Sequence, residues 1–204
     1  MGNSFIHPSA MVHKDAVLGF GNIIHAGVII TSQVEIGNDN EIYPYTVIGT
    51  DAEHKGFIGG TNRKVKIGDR NIIREFVTIN NGTIQDTEIG NECYFLRGSH
   101  VGHDCLIKDK VTLSCNALIG GESVIFEGAN LGLGAVVHQR QVIGHYSMIG
   151  MNSTATKKSE ILPFGKFIGS PAKWISDNTQ KRVLFDEEQA EKFIQEYFER
   201  IGLR

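Results

Sequence analysis

The sequence predicts an all-β solenoid closed by a short C-terminal helix. Three observations predict it. An aliphatic or aromatic residue returns at every sixth position, a small residue often stands four places after it, and a glycine often follows it directly. A helix buries side chains at a period of 3.6 and a strand at 2, so a strict six fits neither alone. Short strands joined by turns do fit, with one inward side chain for each hexad of a coil. Three hexads close a triangular coil, so residues 18 apart lie above one another and the inward side chains form one apolar column.

The first run is Ile6, Val12, Leu18, Ile24, Ile30, Ile36, Ile42 and Ile48. The rhythm then breaks at residues 50–66, TDAEHKGFIGGTNRKVK, a polar, glycine-rich stretch that reads as an extruded loop. A solenoid can extrude such a loop without disturbing its column, and loops of this kind often lie on the binding face. The period resumes with Ile67, Ile73 and Ile79, and NNGTIQDTE at 80–88 reads as a second, smaller loop. The third run is Ile89, Phe95, Val101, Ile107, Leu113, Ile119, Ile125, Leu131, Val137, Ile143 and Ile149, with a looser continuation at Ala155, Ile161 and Phe167. Companions such as Ala10, Cys93, Cys105, Ala117, Ala129 and Ala135 leave room for the column. The solenoid is expected over 1–170 and a helical tail over 171–204. In that tail Ala190, Phe193, Ile194, Tyr197, Phe198 and Ile201 share one helical face, Asp186 with Gln189 forms a capping box, and Gly202 is the stop. So short a helix must dock on the solenoid or on a neighbouring subunit.

Composition narrows the function. A net charge of −3 gives no basic stripe for nucleic acid. No apolar stretch approaches the ~20 residues of a membrane span, and MGNSFIHPSAM lacks the regions of a signal peptide. Ile6 stands where a myristoylation signal needs Ser or Thr. Cys93, Cys105 and Cys115 form no C-x-x-C pair and read as reduced thiols. A cytoplasmic protein with no metal site is expected.

The residues that could carry chemistry lie in SHVGHDC, 99–105. His103 falls at an outward place of its hexad, where an imidazole can act as a general base on a hydroxyl or an amine. Asp104 could hold its tautomer, but neighbours on an extended strand point to opposite faces, so the pairing requires a corner. His138 lies 35 residues after His103, one short of two coils, which sets the two on nearly the same edge.

SHVGHDC, IGG at 119–121, LGAVVHQ at 133–139, NEIYPYTVIG at 40–49 and KIGDRNIIREFVTINNGT at 66–83 resemble the UDP-N-acetylglucosamine O-acyltransferases of lipid A biosynthesis, over residues 6–155 or so. The resemblance implies a left-handed parallel β-helix, a homotrimer with sites between neighbouring solenoids, and transfer from acyl-carrier-protein or coenzyme A thioesters to a nucleotide sugar. No resident cofactor is implied. By position, His103 matches the general base, Asp104 its carboxylate partner, and the N–H near Gly121 the oxyanion donor. His100 and His138 match substrate-binding histidines, with Gln139 beside the latter.

Departures bear on the substrate. Where those enzymes have a Gln-Asp-Leu-Lys-like loop, this chain reads Glu53-His54-Lys55-Gly56, so that His54 replaces a sugar-binding Asp and Lys55 follows it. Glu122 stands where a histidine is usual, and Met151 stands where long-chain members have Gly, which predicts a short or medium acyl group. Only Lys173, Lys181 and Arg182 could replace the basic residues of a longer tail. The segment IGSPAK at 168–173 is similar to the ending of coenzyme A-dependent acetyltransferases and, with the altered loop, favours N-acylation of an amino sugar, whereas the H-x-x-H-D-C block and NEIY favour O-acylation of a UDP-N-acetylhexosamine. Two other classes share the solenoid: zinc enzymes of the γ-carbonic-anhydrase kind, whose H-x4-H spacing is missing here, and non-catalytic scaffolds.

Overall fold

A computed structural model describes residues 3–57 and 63–202. Three parallel sheets run the length of one solenoid. The first has ten strands, from Phe5–Ile6 to Lys173–Asp177; the second has eight, from Met11–Val12 to Thr154–Ala155; the third has seven, from Val17–Leu18 to Val142–Ile143. Most strands are two residues long, one side chain inward and one outward, as a six-residue repeat requires. The aliphatic at each hexad closes onto the one a coil away: Ile6 on Ile24, Ile24 on Ile42, Phe95 on Leu113. From Ile24 onward the column is sealed, whereas Ile6, with no coil beneath it, is 43% exposed.

Two coils are longer than 18 residues. Ile42 pairs with Ile73, a step of 31, so this coil carries 13 extra residues; Ile73 pairs with Phe95, a step of 22, so the next carries four. The first insertion is tighter than the expected 50–66. Thr50 ends a strand and fully buried Val65 begins the next, which leaves 51–64, of which 58–62 lie outside the described residues. Cys93 and Cys105 are buried free thiols, and burial pushes both up to about 12.

The tail differs from a purely helical one. Lys173–Asp177 folds back antiparallel on Gly165–Ile168, pairing Ile168 with Lys173 and Phe167 with Trp174, while Ala172 covers the end of the apolar column. IGSPAK is therefore the turn and start of a hairpin that closes the first sheet. Helix α1 (Thr179–Arg182) leads to α2 (Glu187–Ile201). The capping box of Asp186 and Gln189 is formed, and Gly202 ends the helix in the left-handed conformation. Helix α2 docks on its own solenoid: Tyr197, Phe198 and Ile201 cover Leu106, Val124 and Val142 of the third sheet. His145, 2% exposed, is held between Phe126 and Phe193, at centroid distances of 4.2 and 4.6 Å. Among the described residues, no helix is long and apolar enough to cross a membrane.

Candidate active site

The corner between the second and third sheets turns through a left-handed residue in each successive coil: Asp104 (φ 60°), Glu122 (φ 61°) and Arg140 (φ 64°). That turn solves the pairing problem of adjacent residues. His103 Nδ1 lies 2.6 Å from Asp104 Oδ2, with the imidazole 13% exposed and the carboxylate 1% exposed. Asp104 is held by the second inserted loop. Its Oδ1 accepts the N–H groups of Thr83, Ile84 and Gln85 at 2.7, 2.8 and 2.9 Å, and its Oδ2 accepts the Thr83 hydroxyl at 2.6 Å. Burial opposes ionisation, but the bonds from Thr83, His103 and the Gln85 and Ile84 N–H groups outweigh it. They hold the carboxyl far below the ordinary range.

The other ring nitrogen faces Gly121. A Cβ on Gly121 would lie 2.6 Å from His103 Nε2, so only glycine leaves that nitrogen open. The neighbouring corner, between the third and first sheets, shows what is special here. There the N–H groups of Asn38, Asp69 and Asn91 each donate to an Asn or Asp Oδ1 one coil on, at 2.7–2.8 Å. At the His103 corner the same ladder reads His103, Gly121, Gln139, with no short side chain to accept. Among the described residues, the Gly121 N–H makes no hydrogen bond.

A cavity of about 290 Å³ opens onto this corner, walled by Glu53, His54, Asn80, His100, His103, Leu118, Val136, Gln139 and the glycines 102, 120 and 121. The larger insertion brings His54 edge-on to His103, with ring centroids 5.8 Å apart. His100 shares a 2.8 Å hydrogen bond with Thr78 Oγ1, and burial pushes its imidazole below the ordinary value against the pull of Glu53. Asn80 was not anticipated from sequence. It is 2% exposed, and its amide donates to Thr50 Oγ1 at 3.2 Å and the Asp51 carbonyl at 3.0 Å. Because a carbonyl only accepts, the nitrogen must face it. The Asn80 Oδ1 is left without a protein partner.

Other expected residues stand apart. Lys55 is exposed on the loop, and Glu122 is tied outside the cavity to Arg140 by bonds of 2.8 and 2.9 Å, which lower its pKa. His138 caps the carbonyl of Gln139 at 2.9 Å on the adjoining column and does not wall the cavity. Met151 is at the corner between the first and second sheets, across a whole face from His103. Among the described residues, no three His, Cys, Asp or Glu side chains converge as a metal-binding group. Of the three basic tail residues, Arg182 pairs with Glu187 at 2.8 Å, Lys173 lies on the outer strand, and Lys181 borders a separate cavity with Lys110 and Tyr146.

No known protein-family profile matches the sequence. Solved structures do match. UDP-N-acetylglucosamine O-acyltransferase from Moraxella catarrhalis superposes with a TM-score of 0.80 at 28% identity, covering 95% of this chain and 83% of that one. The Bacteroides fragilis enzyme gives 0.79 at 29% identity, covering 95% and 84%. The protein is an acyltransferase. Its solenoid is the left-handed parallel β-helix of those enzymes, and this acyltransferase resembles them over nearly its whole length.

Proposed function

We propose that this acyltransferase moves an acyl group from an acyl-carrier-protein or coenzyme A thioester to a hydroxyl or amine of a nucleotide-linked sugar. One observation carries the reading: His103 Nε2 opens onto Gly121, whose N–H has no hydrogen-bond partner among the described residues and whose missing side chain leaves room for a reacting carbon. His103 Nε2 takes the proton of the attacking oxygen or nitrogen, while Asp104 stabilises the imidazolium that forms. The nucleophile adds to the thioester carbonyl, and the Gly121 N–H donates to the oxyanion of the tetrahedral intermediate, a contribution of roughly 3 kcal/mol where such donors are removed. Collapse breaks the C–S bond and expels the thiolate, which takes from His103 the proton that came from the acceptor. Glu53, His54, His100 and Gln139 hold the acceptor sugar. That wall of acceptors favours an amine as much as a hydroxyl, so N-acylation of an amino sugar is the second reading.

Surface chemistry supports a trimeric assembly. The corner between the first and second sheets exposes Tyr45, Phe76, Leu133 and Met151, and the flanking faces expose Ile23, Ile72, Ile29 and Leu118. The third face carries ion pairs, such as Lys66 with Asp86, and the docked helix. Apolar surface on two adjacent faces fits a closed ring of three copies, in which a neighbour's first sheet covers the second sheet beside His103. Met151 and His138 can border the His103 cavity only in such an assembly. The test is mass spectrometry of products from UDP-N-acetylglucosamine and from UDP- or dTDP-amino sugars, with C2, C4, C10 and C14 thioesters. Short or medium chains should be preferred, and His103→Ala should abolish turnover. Near-normal turnover by that variant would sink the mechanism.

A further inference from the structure

We propose that Thr83 is a positioning residue that sets the tautomer of His103 by holding Asp104 as an obligatory hydrogen-bond acceptor. This rests on reading His103 as the general base. Asp104 receives four donors, three backbone N–H groups on Oδ1 and the Thr83 hydroxyl on Oδ2, and Oδ2 also meets the His103 ring nitrogen. A carboxylate offers about four lone-pair sites, so no place remains for a proton. A protonated Oδ2 could serve only one of its two neighbours. Asp104 therefore accepts from His103, Nδ1 carries the hydrogen, and Nε2 presents its lone pair to the cavity.

The loop around Asp104 is built for this one residue. Gln85 Nε2 donates to the Asp104 carbonyl at 2.7 Å, and the Asp104 N–H donates to Thr87 Oγ1 at 2.9 Å. Gly82 is obligatory for the turn, because a Cβ there would meet the Gln85 carbonyl oxygen at 1.6 Å. These residues fall in the segment that lengthens the coil from 18 to 22, an insertion that would otherwise be spent on solvent. Thr83 alone reaches both carboxylate oxygens, with its N–H on Oδ1 and its hydroxyl on Oδ2.

Thr83→Val keeps the shape and removes only the hydroxyl. Without the hydroxyl that fixes Oδ2 the carboxylate can turn away from the ring, so its hold on the Nδ1 hydrogen weakens, the imidazolium is less well stabilised and the base is protonated only at lower pH. The expected result is a kcat about tenfold lower, KM for the nucleotide sugar within about twofold, and an acid limb of kcat/KM moved down by about half a pH unit. Thr83→Ser should restore all three. A purely structural role would lower kcat at every pH without moving the limb and without rescue by Ser, and that outcome overturns the proposal. So does Thr83→Val with wild-type kcat and limb. Nitrogen-15 NMR of labelled histidine reads the tautomer without substrate: the wild type should carry hydrogen on Nδ1 of His103, and Thr83→Val, or Thr83→Ala should the valine variant not fold, should show a mixture. An Nε2–H tautomer in the wild type refutes the idea outright. Should His103→Ala keep its turnover, the general-base reading falls, while the NMR result still decides what Thr83 does.

Discussion

Asp104→Asn separates geometry from proton placement at the base. Three backbone N–H groups converge on Oδ1, so that atom must remain an oxygen in the variant. The new amide nitrogen is forced into the Oδ2 place, 2.6 Å from both Thr83 Oγ1 and His103 Nδ1. Thr83 adapts, because a hydroxyl accepts as readily as it donates. The imidazole adapts only by moving its hydrogen to Nε2, which removes the lone pair that takes the substrate proton. A fold-preserving loss of about 10⁴ in kcat is expected, the size seen when a buried carboxylate partner of a catalytic histidine becomes an amide. The cost in stability at neutral pH is far smaller, about 1–2 kcal/mol for weakened charge-assisted bonds. The sign of the pH effect follows from the depressed carboxyl. Its ionised form contributes stability above the unfolded value near ~3.9, and that contribution drains away as the pH falls below it. The asparagine variant should therefore lose less stability than the wild type between about pH 4 and pH 2. Steady-state kinetics with an acyl thioester, together with urea unfolding across that range, tests both halves. A kcat within tenfold of wild type would refute the argument that Asp104 fixes the tautomer.

Two further predictions concern the glycine and the buried imidazole. Gly121→Ala sets a methyl 2.6 Å from His103 Nε2 and should lower kcat by about a hundredfold while the melting temperature barely moves; unchanged kcat would show that the space beside Nε2 is not where the reacting carbon sits. Burial pushes His145 down to about 4, so the protein keeps full stability above the unfolded value near ~6.5 and should lose about 3 kcal/mol as the pH falls from there to 4. In His145→Phe that acid loss should be flattened, as read by urea midpoints at pH 7, 5 and 4, and an identical slope in both proteins would contradict it.

How far the sequence could be read depends on the range of the interactions involved. The period is local, so the coils, the sealed column and the helix with its Asp186–Gln189 box were all visible in the order of residues. The pairing of His103 with Asp104 could be posed but not solved, because only a left-handed residue at 104 brings two neighbours to one side. The donors that hold Asp104 come from 19 to 21 positions away across an insertion that shifts the register, and no spacing rule reaches them. Asn80 was missed for the same reason: its role comes from an unpaired oxygen, which is a property of the packed corner rather than of the string NNGT. The return strand Lys173–Asp177 escaped notice because Trp174 and Ile175 are exposed, so it shows no burial alternation to read.

The two departures from the 18-residue coil sharpen this point, because they occur at the same corner in consecutive coils. Solenoids admit insertions at any of their three corners, yet both fall between the second and third sheets, directly before the coil that carries His103. The 13 added residues supply Glu53 and His54 as one wall of the cavity. The four added residues supply the cradle of Asp104. A bare coil could hold His103 but could not give it a neutral base form, because its corner offers no donors to keep a buried carboxylate ionised. The regular coils thus fix where the imidazole stands, and the irregular ones fix its proton and what it meets. Substitutions in the column should therefore change stability before chemistry, whereas substitutions in 51–57 and 81–87 should change specificity or pH dependence before stability.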